Sequence, residues 1–139
     1  MKTVEFNAVI GVIAGYEGNN MVKDFKESGI SESTMGKVWM EEAQKEYERT
    51  GGENNGGIYI SAVVNYSQSL YHKDWGCPDG GEPVFTLEGT ANAEFCKNKE
   101  AWKESVKNVV LAVKHHFNQS TVTLNFREIE EQCYFREED

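Results

Sequence analysis

The chain has no apolar run and no cysteine pattern that would place it in a membrane or in an oxidising compartment. No uninterrupted apolar stretch approaches the roughly 20 residues that a membrane-spanning helix needs. The three cysteines, Cys77, Cys96 and Cys133, are odd in number and share no C-x-x-C spacing, which argues against a disulfide framework or a cysteine zinc site. The N-terminus carries charges at Lys2 and Glu5, which is typical of a strand and not of a secretion signal. We therefore expect a cytoplasmic protein with no membrane partner.

Basic residues are also scarce. Lys and Arg total 14 against 23 Asp and Glu, so the formal net charge is -9. Because the phosphates of a nucleic acid bind to positive surfaces, this balance predicts no nucleic-acid partner. A soluble acidic surface explains the charge more simply than a surface that blocks a basic protein.

Length and composition predict one folded domain. At 139 residues the chain is long enough for a single hydrophobic core, and we assign residues 1–139 to one domain. The apolar fraction of 39% and the charged fraction of 27% are those of folded soluble proteins. No internal repeat and no low-complexity linker divides the sequence.

The central stretch of the sequence predicts a β-hairpin. A mainly apolar and a more polar set of residues alternate from Ile58 to Tyr71, and this period of two is typical of a strand with one buried face. The alternation returns at Val84–Glu88, with Phe85 and Leu87 on the apolar face. The intervening loop contains Gly and Pro, so we predict a hairpin with a long tip.

Hydrophobic spacing predicts further elements on both sides of this hairpin. The connection at 16–30 can hold one short helix that begins at Asn19 or Asn20 and ends at Gly29. The other predicted elements are strands at Thr3–Ala14 and from Ser120 onward, and helices from Ser31 or Ser33 to about Thr50 and at Lys97–Asn118.

The order of the main elements is strand, helix, strand, strand, helix, strand. Two right-handed βαβ units of this kind form one antiparallel sheet with both helices on one face. We therefore predict the α+β class and a ferredoxin-like βαββαβ sandwich, a four-stranded sheet in the order 4-1-3-2. This fold hosts many unrelated functions, so it does not predict the chemistry. The predicted core contains Phe6, Trp39, Ile60, Trp102, Val109, Phe117 and Leu124.

The predicted strand directions bring polar and aromatic residues to one end of the sheet. The 16–30 connection, the hairpin tip and the turn before the last strand meet there, whereas the opposite end, with 51–57 and 89–94, offers little chemistry. Loops that carry aromatic and titratable groups are typical of recognition sites. The ligand-binding residues predicted at this loop-rich end are Tyr16, His72, Asp74, Trp75, His115 and His116.

Some residues of the loop-rich end are of types that support catalysis or bind metals. His72, Asp74 and Cys77 could act as a base, a carboxylate and a nucleophile. The run Cys77-Pro-Asp-Gly-Gly81 is typical of a structural turn, however, and we favour the turn. His72 and Asp74 with a histidine of the 115–116 pair could also ligate zinc or iron. Adjacent histidines on a helix point in different directions, so we predict no metal site, and we predict no cofactor.

The second face of the predicted sheet is only partly polar, since it also carries Val9, Tyr59 and Val63. Ferredoxin-like domains often cover this face with a second copy or use it as a ligand groove. We therefore predict a homo-oligomer, such as a homodimer, and ligand-binding roles for Asn65 and Arg127. An open, solvated sheet is the alternative. The polar groups of this face are Glu5, Asn7, Asn65, Asn125 and Arg127.

These surfaces predict a non-catalytic binding module, a homo-oligomer that holds a small polar ligand or a protein partner. Amides, hydroxyls and aromatics are present on them without a complete catalytic set. One alternative is a small enzyme, a hydrolase or isomerase in which His72 is the acid–base group. Another is an acidic inhibitor or immunity protein, carried by a phage or mobile element, that blocks a basic partner.

Overall fold

The computed structural model describes residues 1–14 and 20–139, which form one four-stranded sheet and three α-helices. Among these residues, no helix has both the length and the apolar character that crossing a membrane requires. The strands are β1 (Thr3–Gly11), β2 (Val63–Ser69), β3 (Glu82–Thr90) and β4 (Thr123–Ile129). The helices are α1 (Met21–Ser28), α2 (Glu32–Arg49) and α3 (Lys99–His116), and a short 3-10 helix spans Lys73–Trp75.

Neighbouring strands of the sheet are antiparallel, in the order β2-β3-β1-β4. Read from the opposite edge, this is the predicted order 4-1-3-2. The α+β class is therefore confirmed, and the architecture is consistent with the ferredoxin-like description.

The short helix predicted in the connection between β1 and α2 is present as α1, in addition to the two helices of the sandwich. The Asn20 side chain begins this helix by accepting a hydrogen bond from Lys23 N at 2.9 Å. Gly29 ends it with a φ of 77°, a left-handed conformation that favours glycine.

The core lies between one face of the sheet and helices α2 and α3. Alternate side chains of β1 are buried on this face, since successive residues of a strand point to opposite sides. The centroid of the Phe6 ring lies 5.6 Å from that of Trp39 and 5.9 Å from that of Trp102. All the predicted core residues are buried except Leu124, which is half-buried and packs against the core.

The first part of the predicted hairpin strand does not join the sheet, and β2 begins at Val63 instead of Ile58. Side chains of α2 and its C-cap bind the backbone of the earlier residues. Trp39 Nε1 donates to the Ile60 carbonyl at 2.9 Å, and Ile58 N donates to Thr50 Oγ1 at 2.7 Å. These bonds satisfy backbone groups that a sheet ladder would otherwise use. Ile60 is fully buried, as its place in the alternation predicts.

A buried carboxylate joins α2 to α3. Glu46 is 5% exposed and accepts hydrogen bonds from Arg49 Nε and Nη2, each at 2.7 Å, and from Asn108 Nδ2 at 3.1 Å. The hydrogen bond from Arg49 is the main reason that the pKa of Glu46 falls from its usual 4.5 to about 2, against the opposing effect of burial. A charged side chain is therefore part of the helix packing.

Candidate functional site

A cavity of about 330 Å³ lies on the open face of the sheet, the face that does not pack on the helices. The strand register explains how its polar side chains come together. Asn7 of β1 is paired with Asn125 in β4 and with Glu88 in β3, and paired side chains point to the same face. We call it the open-face cavity, and its lining residues are Glu5, Phe6, Asn7, Glu88, Asn125, Phe126 and Arg127.

Opposite charges lie side by side in the open-face cavity. The Arg127 guanidinium forms an ion pair with Glu5, with Nη2 and Oε1 2.5 Å apart. Asn7 Nδ2 donates to Glu88 Oε1 at 3.4 Å, a long hydrogen bond that leaves this exposed carboxylate weakly held. With two carboxylates and one guanidinium in its lining, the cavity favours a ligand with more positive than negative groups.

The two open-face residues predicted to bind a ligand lie on this surface. Arg127 lines the open-face cavity, and its side chain is 74% exposed. Asn65 lies on β2, outside the cavity, and its carbonyl accepts a hydrogen bond from Thr86 Oγ1 at 3.4 Å. Thr86 is paired with both Val9 and Asn65, so Asn65 extends the same face across the sheet. Ligand contact stays a prediction for both residues.

A second cavity, of about 560 Å³, lies at the end of the sheet where β3 ends. Its three aromatic side chains are Tyr59 from the segment before β2, Phe95 from the loop after β3, and Trp102 from α3. Phe95 is 62% exposed, whereas Trp102 is buried. We call it the aromatic cavity, and its other lining residues are Gly56, Gly57, Ile58, Ser61, Thr90, Asn92, Cys96, Lys97 and Asn98.

At the loop-rich end, the hairpin tip brings His72, Asp74 and Trp75 together. His72 Nδ1 accepts a hydrogen bond from Asp74 N at 3.1 Å and caps the 3-10 helix, and the His72 and Trp75 ring centroids lie 5.8 Å apart. Trp75 is 79% exposed and lines a further cavity of about 250 Å³ with Val9 and Thr123 of the open face. The tip therefore borders the open face.

The other described residues predicted for the loop-rich end, His115 and His116, lie at the C-terminus of α3. His115 and His116 are exposed in the last turn of α3, and the His116 ring centroid lies 4.9 Å from that of Phe117. Within 1–14 and 20–139, no cluster of three or more His, Cys, Asp or Glu side chains could hold a metal. Tyr16 lies outside the described residues. Ligand binding by the loop-rich end stays a prediction.

Cys77 has the contacts of a structural turn. Its Sγ accepts a hydrogen bond from Tyr71 N at 3.5 Å and lies 4.0 Å from the Ser69 carbonyl oxygen, which joins the two sides of the hairpin tip. Gly76 follows the 3-10 helix with a φ of 96°, and Gly81 precedes β3 with a φ of 90°. Both angles are in the left-handed region that favours glycine.

Two features of these sites are not visible in the sequence alone. Glu88 follows the apolar residues of β3 in the alternation, but only its pairing with Asn7 shows that it reaches the open-face cavity. The aromatic cavity draws its rings from three separate segments, at the end of the sheet where the sequence predicts little chemistry. Phe95, the one aromatic residue in the loop after β3, is the one signal that could have indicated it.

Comparisons with known proteins relate the chain to a family. The model of the SAM lyase family matches residues 1–136 of the chain. No curated protein matches it. Among solved structures, the chain is similar to a phage SAM lyase in complex with S-methyl-5′-thioadenosine, at 14% sequence identity and a TM-score of 0.49, over 91% of this chain and 81% of that chain.

The family match contradicts the predicted non-catalytic binding module, because the matched family is one of enzymes. The enzyme alternative is the one that agrees in class, although a lyase is neither a hydrolase nor an isomerase. The acid–base role of His72 stays a prediction. A small ligand, one of the two kinds of partner predicted, is consistent with such an enzyme.

Proposed function

Because the chain belongs to the SAM lyase family, we propose that it is a lyase that cleaves S-adenosylmethionine. The family match over residues 1–136 is the observation that carries this proposal. A lyase breaks a bond without adding water and without oxidation. The reactive centre of S-adenosylmethionine is a sulfonium, and its sulfur leaves as a neutral thioether with the electron pair of the broken C–S bond.

The open-face cavity has the charges that the amino-acid end of this substrate requires. That end carries an ammonium, a carboxylate and the sulfonium. Glu88, whose hydrogen bond to Asn7 is long, is the carboxylate available to the ammonium, and Arg127 is the partner for the carboxylate. Glu5 holds the Arg127 guanidinium in place. The sulfonium has no N–H or O–H to donate, so it needs only the negative potential of the cavity.

This assignment also suits the change of charge during the reaction. The sulfonium loses its positive charge as the C–S bond breaks, so a tight contact with it would stabilise the substrate more than the transition state. The ammonium keeps its charge throughout the reaction, so the substrate can be held through it without that penalty. We therefore assign Glu88 and Arg127 to binding and orientation of the substrate.

The bond that breaks in this proposal joins the sulfur to the amino-acid chain. The carboxylate of that chain can close a ring on the carbon that loses the sulfur, so an O–C bond forms as the C–S bond breaks. The methyl group of the sulfonium has no such internal nucleophile. The products are the neutral thioether S-methyl-5′-thioadenosine and a lactone that keeps the ammonium, and no water or proton is consumed.

Mass spectrometry of the products tests the proposed reaction. The purified chain is incubated with S-adenosylmethionine and sampled early, with the Arg127→Ala variant prepared in parallel to detect contaminating enzymes. We expect two fragments whose masses add up to that of the substrate. Initial fragments that contain an added water would identify a hydrolase instead, and an unconsumed substrate would contradict the proposal.

We also propose that the chain forms a homo-oligomer through its open face. Val63 is 65% exposed on that face and Trp75, which borders it, is 79% exposed, and exposed apolar groups around polar ones are typical of a surface that another copy covers. A second copy there would exclude water from the open-face cavity. The mass in solution should then be a multiple of 15.7 kDa, and Val63→Glu should reduce it to that of a monomer.

The control for this variant is Leu111→Glu on α3, where the wild-type side chain is 51% exposed outside the open face. It should leave the mass unchanged. A monodisperse monomer of the unmutated chain at micromolar concentration contradicts the oligomer.

We propose the cytoplasm as the compartment of this reaction. Cys77, Cys96 and Cys133 are free thiols, which suits a reducing compartment. A small-molecule substrate requires neither a nucleic acid nor a membrane as partner.

A further inference from the structure

We propose that the aromatic cavity holds the adenine ring of the substrate while the open-face cavity holds its amino-acid end. This inference rests on the function proposed above. The volume of about 560 Å³ is in the range of small-molecule sites, and aromatic side chains line it. A planar purine stacks on such side chains whatever its hydrogen-bonding pattern. The open-face cavity, by contrast, is lined mainly by charged groups and carboxamides.

The polar groups of the aromatic cavity suit an uncharged, nitrogen-rich ring. The carboxamide oxygens of Asn92 and Asn98 accept local hydrogen bonds from backbone groups of the same chain, Glu94 N and Ala101 N, at 3.0 Å each. Their Nδ2 groups are donors, and the ring nitrogens of adenine are acceptors. Among the described residues that line this cavity there is no carboxylate, so it offers no ion-pair partner to the substrate's ammonium.

The two cavities are neighbours along the sheet. Glu5 of the open-face cavity is paired with Thr90 of the aromatic cavity, and such partners have Cα atoms about 4.5–5.5 Å apart. A ligand that passes around the end of β3 at Thr90 can therefore reach both cavities.

The exposed ring of Phe95 is held in place from the side. The Tyr134 ring meets it edge-on at 5.8 Å and 78°, and the Arg136 guanidinium lies 5.9 Å from its centroid. Arg136 also pairs with Glu94 at 2.5 Å. The C-terminal residues thus fix one wall of the aromatic cavity before any ligand binds, which lowers the entropy cost of stacking.

Isothermal titration calorimetry with adenosine and, separately, with L-methionine tests the assignment. Each probe carries one end of the substrate. The variants are Phe95→Ala and Tyr59→Ala in the aromatic cavity, Glu88→Gln in the open-face cavity, and the control Phe135→Ala, which removes a 78% exposed ring that lines neither cavity. Thermal unfolding of each variant checks that the fold is intact.

We expect Phe95→Ala to weaken adenosine binding about tenfold or more, as loss of a base-stacking ring does. Glu88→Gln and Phe135→Ala should leave adenosine binding within about twofold, and Glu88→Gln should weaken L-methionine instead. The assignment is overturned if adenosine does not bind the unmutated chain. It is also overturned if adenosine binds Phe95→Ala and Tyr59→Ala as tightly as it binds the unmutated chain. Adenosine binding that depends on Phe95, in a chain that does not cleave S-adenosylmethionine, would uphold the cavity assignment and refute the proposed function.

Discussion

At the scale of single residues, the buried carboxylate of Glu46 makes the packing of α2 on α3 depend on pH. Its pKa is lowered from 4.5 to about 2 in the folded chain, first of all by the hydrogen bond from Arg49. A group with a depressed folded pKa contributes stability above its unfolded pKa, and this contribution is lost as the pH falls through the folded value. The sensitive window therefore runs from pH 4.5 down to about 2.

We expect the free energy of unfolding to fall by up to about 3 kcal/mol across this window, an upper value because the exposed Arg49 side chain is screened by solvent. Glu46→Gln should remove much of this loss, because a carboxamide does not titrate. Glu104→Gln, at an exposed ion pair on α3, should keep it. Urea unfolding at several pH values measures the difference, and equal pH dependence in all three proteins would refute this role of Glu46.

Residue types on the open face are predictable from the sequence, whereas their roles are not. The alternation of β1 and β4 places Asn7, Asn125 and Arg127 on one face because a strand has a period of two. It does not reveal that Arg127 pairs with Glu5, or that Glu88 lies opposite Asn7. Those facts depend on the register between strands that are distant in sequence.

At the scale of elements, the hydrophobic periodicity of the sequence predicts well which helices and strands exist, and less well where each one begins and ends. The helix that begins after Ser31 and the helix that ends at His116 follow the predicted spacing. The segment Ile58–Ala62 alternates like a strand and has its buried face, yet it lies outside β2 because the Trp39 indole takes the Ile60 carbonyl. A hydrogen bond between a helix side chain and a backbone group in another segment leaves no trace in local sequence.

The C-terminal residues support the Phe95 wall of the aromatic cavity although they form no strand. Removing residues 133–139 deletes the Tyr134 and Arg136 contacts to the Phe95 loop. We expect this truncation to weaken adenosine binding about two- to tenfold, since aromatic pairs are worth about 0.5–1.5 kcal/mol. Binding of L-methionine should not change, because the tail does not line the open-face cavity.

Calorimetry on the truncated chain, with Phe135→Ala as the control for the loss of one exposed ring, measures this effect. Unchanged adenosine affinity would mean that Phe95 keeps its position without the tail. A parallel loss of L-methionine affinity would mean that the truncation disturbs the sheet.

At the scale of the whole molecule, the strand directions could be predicted and the location of the larger cavity could not. The hairpin tip and the turn before β4 both lie beside the end of β1, which agrees with the predicted strand directions. Histidines and other titratable or aromatic residues are concentrated at that end, but the aromatic cavity, the larger of the two named cavities, opens at the other end. Its walls come from backbone loops and rings that only three-dimensional packing brings together.

Steady-state kinetics of Glu88→Gln tests most directly the claim that the open-face cavity binds the charged end of S-adenosylmethionine. Because the ammonium keeps its charge throughout the reaction, losing its partner removes binding from substrate and transition state alike. We predict a KM about tenfold higher or more with kcat nearly unchanged, while Glu104→Gln on α3 keeps the unmutated values. A Glu88→Gln enzyme with the kcat and KM of the unmutated chain would contradict the account.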